Sequence, residues 1–254
     1  MSARWLLLFA LLSWPAVASE RWQQPQRLAQ IFAAVALTVE HGDGPAQIRK
    51  WQQPVRVWID HRVGDRVLHE RLTDMHLRHL GAITGLDIAR VGVRERANLV
   101  LVFTRADRWA EDLARELGPG AVRYMHGAVC MGGLHSQKGV IRSAAAVIPV
   151  DQARMHGKLV ACIVEELTQA LGLANDSELA YPSVFNDLSP DDLLTDLDCS
   201  LLRILYDPRV APGLNADALG HLLPDIIDDL RRQDLYRRAL SDARHSELRG
   251  LLAQ

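Results

Sequence analysis

Apolar residues recur along this chain with two different periods. Leu28, Ile31, Phe32, Val35 and Val39 fall at steps of three and four, which predicts a helix over residues 24–40. Gly42, Gly44 and Pro45 interrupt it, and a short helix to Trp51 is expected next. After Pro54 the pattern alternates through Val55-Arg56-Val57, the mark of a strand. Val67, Leu68, Leu72, Met75, His79 and Leu80 restore helical spacing over 66–82, with Gly85 as a stop signal. Residues 86–91 and 99–103 read as strands. The second is an unbroken apolar run, which predicts a central strand covered on both faces. A helix over 107–117 is stopped by Gly118-Pro119-Gly120, residues 121–139 read as irregular and glycine-rich, and 140–150 as a strand.

A helix over 154–173 follows. Leu159, Val160, Ile163, Val164, Leu167 and Leu171 form its core stripe, while Cys162, Glu165, Gln169 and Gly172 line another side. Further helices are expected at about 193–206, 214–220 and 222–248. The order predicts a mixed α/β (α+β) fold with a helical C-terminal subdomain. The expected boundaries are an N-terminal helical segment over 19–52, the main domain over 53–210 and a helical tail over 211–254. The arginines and acids of that tail read as a solvated amphipathic helix.

The first residues change the picture. Arg4, the apolar run Trp5–Trp14 and Ala16-Val17-Ala18 have the make-up of a signal peptide over residues 1–18, cleaved after Ala18. The expected address is the periplasm or the exterior of a bacterial cell. No later run has the length and apolarity of a membrane span. A net charge of −2 argues against a nucleic-acid partner. Export permits a disulfide, and Cys130, Cys162 and Cys199 leave three pairings and one spare thiol. Cys130–Cys162 is the expected pair, tying the glycine-rich segment to the helix that carries Glu165 and Glu166. Three free thiols are the other reading.

The chemistry concentrates in Val164-Glu165-Glu166-Leu167-Thr168-Gln169-Ala170-Leu171-Gly172-Leu173-Ala174-Asn175-Asp176. Its spacing resembles the zinc-peptidase pattern H-E-x-x-H-x-x-G-x-x-H. Glu165, Gln169 and Asn175 stand at the ligand positions, Glu166 at the general base and Gly172 at the glycine. Pro182-Ser183-Val184-Phe185 resembles the methionine turn of the metzincin-like peptidases, with Phe185 in the methionine position. Leu201 to Tyr206 is similar to their C-terminal helix. The same stretch, with Asn186-Asp187 and Asp207-Pro208-Arg209, also resembles a family of exported bacterial proteins of unknown function, over about residues 25–215.

The resemblance implies a metzincin-like mixed sheet whose zinc site has been rewritten. Zinc needs neutral imidazoles and one open position. Glu165, Gln169 and Asp176 offer oxygen donors instead, which suit calcium or magnesium better. The first expectation is therefore a pseudoenzyme without a cofactor that binds a cell-envelope peptide or polysaccharide, or a partner protein. Glu165, Glu166, Gln169, Asn175, Asp176, Phe185, Asn186 and Asp187 are its candidate site residues. The alternative is a hydrolase of an envelope polymer, using Glu166 and Glu165 for acid–base work or a non-standard metal site. Crowded carboxylates raise one another's pKa, which keeps one protonated near neutrality. A third reading recruits His126 and His135 to a metal. Each residue also has a structural reading: a solvated helix face for the glutamates, turn chemistry for Asn175-Asp176 and Asn186-Asp187, and packing for His76 and His79.

Overall fold

The computed structural model describes residues 21–40 and 44–253, so the expected signal peptide lies outside the described residues. Helix α1 (Pro25–Ala36) begins on a proline, whose missing N–H falls where helices leave donors unpaired anyway. It buries Leu28, Ile31, Phe32 and Val35. The expected short helix to Trp51 is absent. Ile48, Arg49, Lys50 and Trp51 are all buried, a demand met by an extended chain threaded between other elements rather than by one helix face. Isolated bridges tie Gln47 to Asn215 and Lys50 to Val140. The two cations are spent on main-chain carbonyls: Arg49 donates to Leu37 and Gln47 at 3.0 Å, and Lys50 to Leu205 at 2.7 Å and Val210 at 2.9 Å.

Strand β1 (Val55–His61), helix α2 (Arg66–Thr84), β2 (Ile88–Arg90), β3 (Leu99–Thr104) and helix α3 (Trp109–Glu116) follow the predicted order. Gly85 ends α2 at φ 74°, a conformation open to glycine. The next segment departs from expectation. Met131–Gln137 forms a strand, β4, paired antiparallel with β5 (Val140–Pro149). Lys138 and Gly139 between them both have positive φ, 51° and 78°, as a two-residue hairpin turn requires. Gly132 and Gly133 hid this strand, because glycine carries little β-propensity and no side chain to alternate.

Helix α4 (Val150–Met155) and α5 (Leu159–Gln169) stand where one helix over 154–173 was expected. Gly157, at φ 68°, breaks them apart. Helix α6 (Asp196–Leu205) opens on a capping box formed by Thr195 and Asp198. The tail is three helices, α7 (Ala216–Arg232), α8 (Leu235–Arg244) and α9 (Glu247–Leu252). They are not a solvated helix: Leu219, Leu223, Ile226, Ile227, Leu235 and Leu248 join one core cluster that also holds Trp22, Leu28 and the sheet.

The sheet order is β2-β1-β3-β5-β4, parallel except for β4 at the edge. Central β3 divides its side chains as its apolar run predicts. Leu99, Leu101 and Phe103 enter the large core with α2 and α5, while Val102 enters a smaller one with Trp109 and Leu113 of α3. The fold is thus mixed α+β, with helices on both faces of a five-stranded sheet. Among the described residues no helix is long and apolar enough to cross a membrane.

Candidate functional site

Helix α5 lies between α2 and the hairpin β4–β5, and several side chains fix its position. His76 of α2 places Nε2 3.1 Å from Val164 O and 3.0 Å from Thr168 Oγ1. Burial pushes the His76 pKa down to about 3, so the ring is neutral there. A disulfide joins Cys162 of α5 to Cys130, just before β4. The last carbonyls of α5 find donors beyond the helix: Trp51 Nε1 reaches Ala170 O at 2.9 Å and Tyr206 hydroxyl reaches Leu171 O at 2.8 Å. Gly172 then turns the chain at φ 116°, and a Cβ there would collide with the Arg49 carbonyl.

This frame presents two adjacent glutamates to the sheet edge. Glu166 is 4% exposed, and its Oε2 has no hydrogen-bond partner. It stands against Gly132 of β4, where any Cβ would strike that oxygen. Gln169, one turn on, donates to Asp176 Oδ1 at 2.8 Å. Asn175 points elsewhere, its amide donating to Ala34 O of α1 at 3.0 Å, so Asp176 is the member of that pair turned toward α5. A cavity of about 1000 Å³ runs along β4. Its walls include Glu40, Pro45 and Gln47, Arg94, Ala121 and Tyr124, β4 itself, and Val100 and Ser143 to Ala145 of the neighbouring strands, with Glu166 and Gln169 at its helix side. Glu165, Asp176 and Asp187 are not among its lining residues.

Burial dominates the electrostatics. It raises Glu165 to about 8, helped by the charges of Asp176, Glu40 and Asp187 and opposed by Lys158. Glu166 is pushed well above the usual carboxylate range, first by burial and then by Glu165, Glu40 and Asp176. Partial burial and Asp187 raise Glu40, and a hydrogen bond from Gln169 draws it back. One opposing cation, Lys158, is shared with Asp192 at 2.7 Å.

The expected site residues separate into two groups. Glu165, Glu166, Gln169, Asp176 and Asp187 act on one another electrostatically or by hydrogen bonds. Phe185 is fully buried and has no surface to offer a ligand. Asn186 is 6% exposed and serves the loop, accepting from Leu188 N at 2.9 Å. Ser183, in the same turn, donates to Asp198 Oδ1 at 2.5 Å, and Asp198 also accepts from Val184 and Thr195 backbone N–H groups.

Zinc does not fit this donor set. It consists of carboxylates and one amide, and the side chain at the third ligand position, Asn175, is held on α1. His135 lies on β4 along the cavity, whereas His126 is exposed and off its lining. Among the described residues no three histidine, cysteine, aspartate or glutamate side chains are grouped to hold a metal ion. Sequence reasoning missed Glu40. No motif marks it, and only the tertiary structure brings it to Gln169, with Glu40 N donating to Ala174 O at 2.8 Å. It also missed Lys50, whose three carbonyl acceptors come from residues 205–210.

A family model described as a protein of unknown function, DUF2927, matches residues 25–225. No curated protein matches the chain.

Proposed function

The chain belongs to that family, and we propose that it is an exported, non-catalytic envelope protein that binds an extended peptide along β4. One observation carries this reading: the large cavity runs the length of the antiparallel edge strand, touching every residue from Met131 to Gln137. An edge strand offers a row of backbone donors and acceptors at the repeat of another peptide, so an incoming strand gains main-chain hydrogen bonds along its length. A polysaccharide has no matching repeat. The irregularity between His135 and Ser136 bends this edge, a common way of keeping it from pairing with further copies.

The descent proposed for this cleft is from a metzincin-like zinc peptidase whose ligands were replaced. The motif spacing, the forced turn at Gly172 and the Ser183–Phe185 turn support it. The disulfide and the expected leader over residues 1–18 support an envelope address.

The test is a titration of fluorescein-labelled hexapeptides of alternating threonine and valine, read by polarisation. Gly132→Ala drives a methyl group into Glu166, displaces that carboxyl into the groove, and is expected to weaken binding about tenfold or more while far-ultraviolet circular dichroism is unchanged. Equal affinity in variant and wild type would remove this cleft from the account. One observation favours a second reading: Glu165 and Glu166 are adjacent buried carboxyls whose pKa values are both raised, and a carboxyl kept protonated is what general acid catalysis uses. Turnover of an envelope polymer that disappears in Glu166→Gln would make that reading the correct one.

A further inference from the structure

Resting on the peptide-binding reading, we infer that the α5 side of the cleft is a subsite for a lysine ammonium group of the bound peptide. A carboxyl oxygen that is buried and unpartnered is costly, and in a folded protein it marks a missing donor. Glu166 Oε2 is such an oxygen. It lines the cavity, and it fits against β4 only because residue 132 is glycine. Glu40 and Gln169 lie on the same lining, so a group reaching this corner meets two carboxyls and an amide. Asp176 and Asp187 add negative potential, which acts on neighbouring Glu165. Lys158, the cation that acts on Glu165, is engaged by Asp192, and on the cavity lining Arg49 is held by main-chain carbonyls and Arg94 by Glu116. This corner selects a positive charge.

The chemistry of that charge follows from shape. The described carboxylates do not converge on one point as metal ligands do. Their charge is spread along one side of a groove, which suits a cation delivered at the end of a flexible stem. A strand laid on β4 sends alternate side chains to the Gly132 side and the intervening ones to the opposite side, toward Leu117, which faces Gly133. Every second ligand residue therefore has access to Glu166. A lysine stem covers that distance and brings three donors to Glu166, Glu40 and the Gln169 carbonyl. Arginine's rigid planar fork fits a narrow corner with single oxygens less well.

The experiment uses capped threonine–valine hexapeptides in which one lysine walks through the six positions. Each is paired with a twin carrying Nε-acetyl-lysine, which keeps the stem and removes the charge. The full chain without its leader is titrated with each by calorimetry. The expected result is a preference for lysine over acetyl-lysine of about tenfold or more, confined to positions of one parity. The preference should vanish in Glu40→Gln/Glu166→Gln, while the acetylated peptides bind that variant as they bind wild type. Equal binding of the twins at every position would overturn the lysine subsite and leave strand addition standing. A lysine preference that persists in the double variant would also overturn it. Binding of neither twin would overturn both readings. Displacement of the lysine peptide by equimolar calcium would reassign the corner to a metal and overturn the inference.

Discussion

Glu165 and Glu166 stand side by side on α5, away from water, with three further acids around them. Burial and mutual repulsion both favour the protonated forms, so the folded state holds protons that the unfolded chain releases near pH 4.5. The sign of the stability effect follows. Below pH 4.5 both states are protonated and the pair costs nothing extra. As pH rises toward about 8, the unfolded state gains from ionisation and the folded state loses relative stability. Glu165→Gln removes this term. Its unfolding free energy from urea denaturation should match wild type at pH 4 and exceed it at pH 8, by on the order of a few kcal/mol. A gain of the same size at both pH values would show that packing, not proton linkage, is responsible. The glutamates and Gln169 were legible in the sequence because their spacing matched a known pattern. Asp176 was legible only as one of two candidates, since nothing local determines which of two neighbouring polar residues turns inward. Glu40 was not legible, because its place depends on a contact with Gln169 more than a hundred residues away in the chain.

Elements differed in legibility for a physical reason. Helices α1, α2 and α3 and strands β1, β3 and β5 announce themselves through periodic apolar residues, and each lies close to its expected position. Strand β4 owes its form to β5, which supplies its hydrogen bonds, and to the turn at Lys138-Gly139. The lysine-glycine turn was the available signal, and it is weaker than asparagine-glycine. Because β4 has little packing of its own, its attachment matters. The Cys130–Cys162 disulfide links the chain before β4 to α5 across 32 residues, a closure that stabilises by about 3–4 kcal/mol in the chain-entropy model. Cys130→Ala/Cys162→Ala should lower stability by about that amount, measured by urea denaturation. Amide exchange should rise first at Met131–Gln137. Uniform acceleration across the sheet, with β4 no different from β3, would contradict this coupling.

The molecule as a whole places a modest net charge of −2 unevenly. Arginines pair with acids over most of the surface, as in Arg56–Asp87, Arg90–Asp74 and Arg78–Glu247. At the end of α5 the acids instead gather around a cleft. The N-terminal helix, the sheet and the three C-terminal helices share one core, so the cleft is held by residues from both ends of the chain. The proposed peptide site thus combines a cleft built from distant parts of the chain with one open strand edge.

Hydrogen exchange followed by mass spectrometry tests that claim most directly, with the lysine-bearing threonine–valine hexapeptides present at saturation and absent. Strand addition predicts that protection rises at Met131–Gln137 on peptide addition, with little change at β2 on the opposite edge. Protection centred on another surface, with β4 unchanged, would contradict the account.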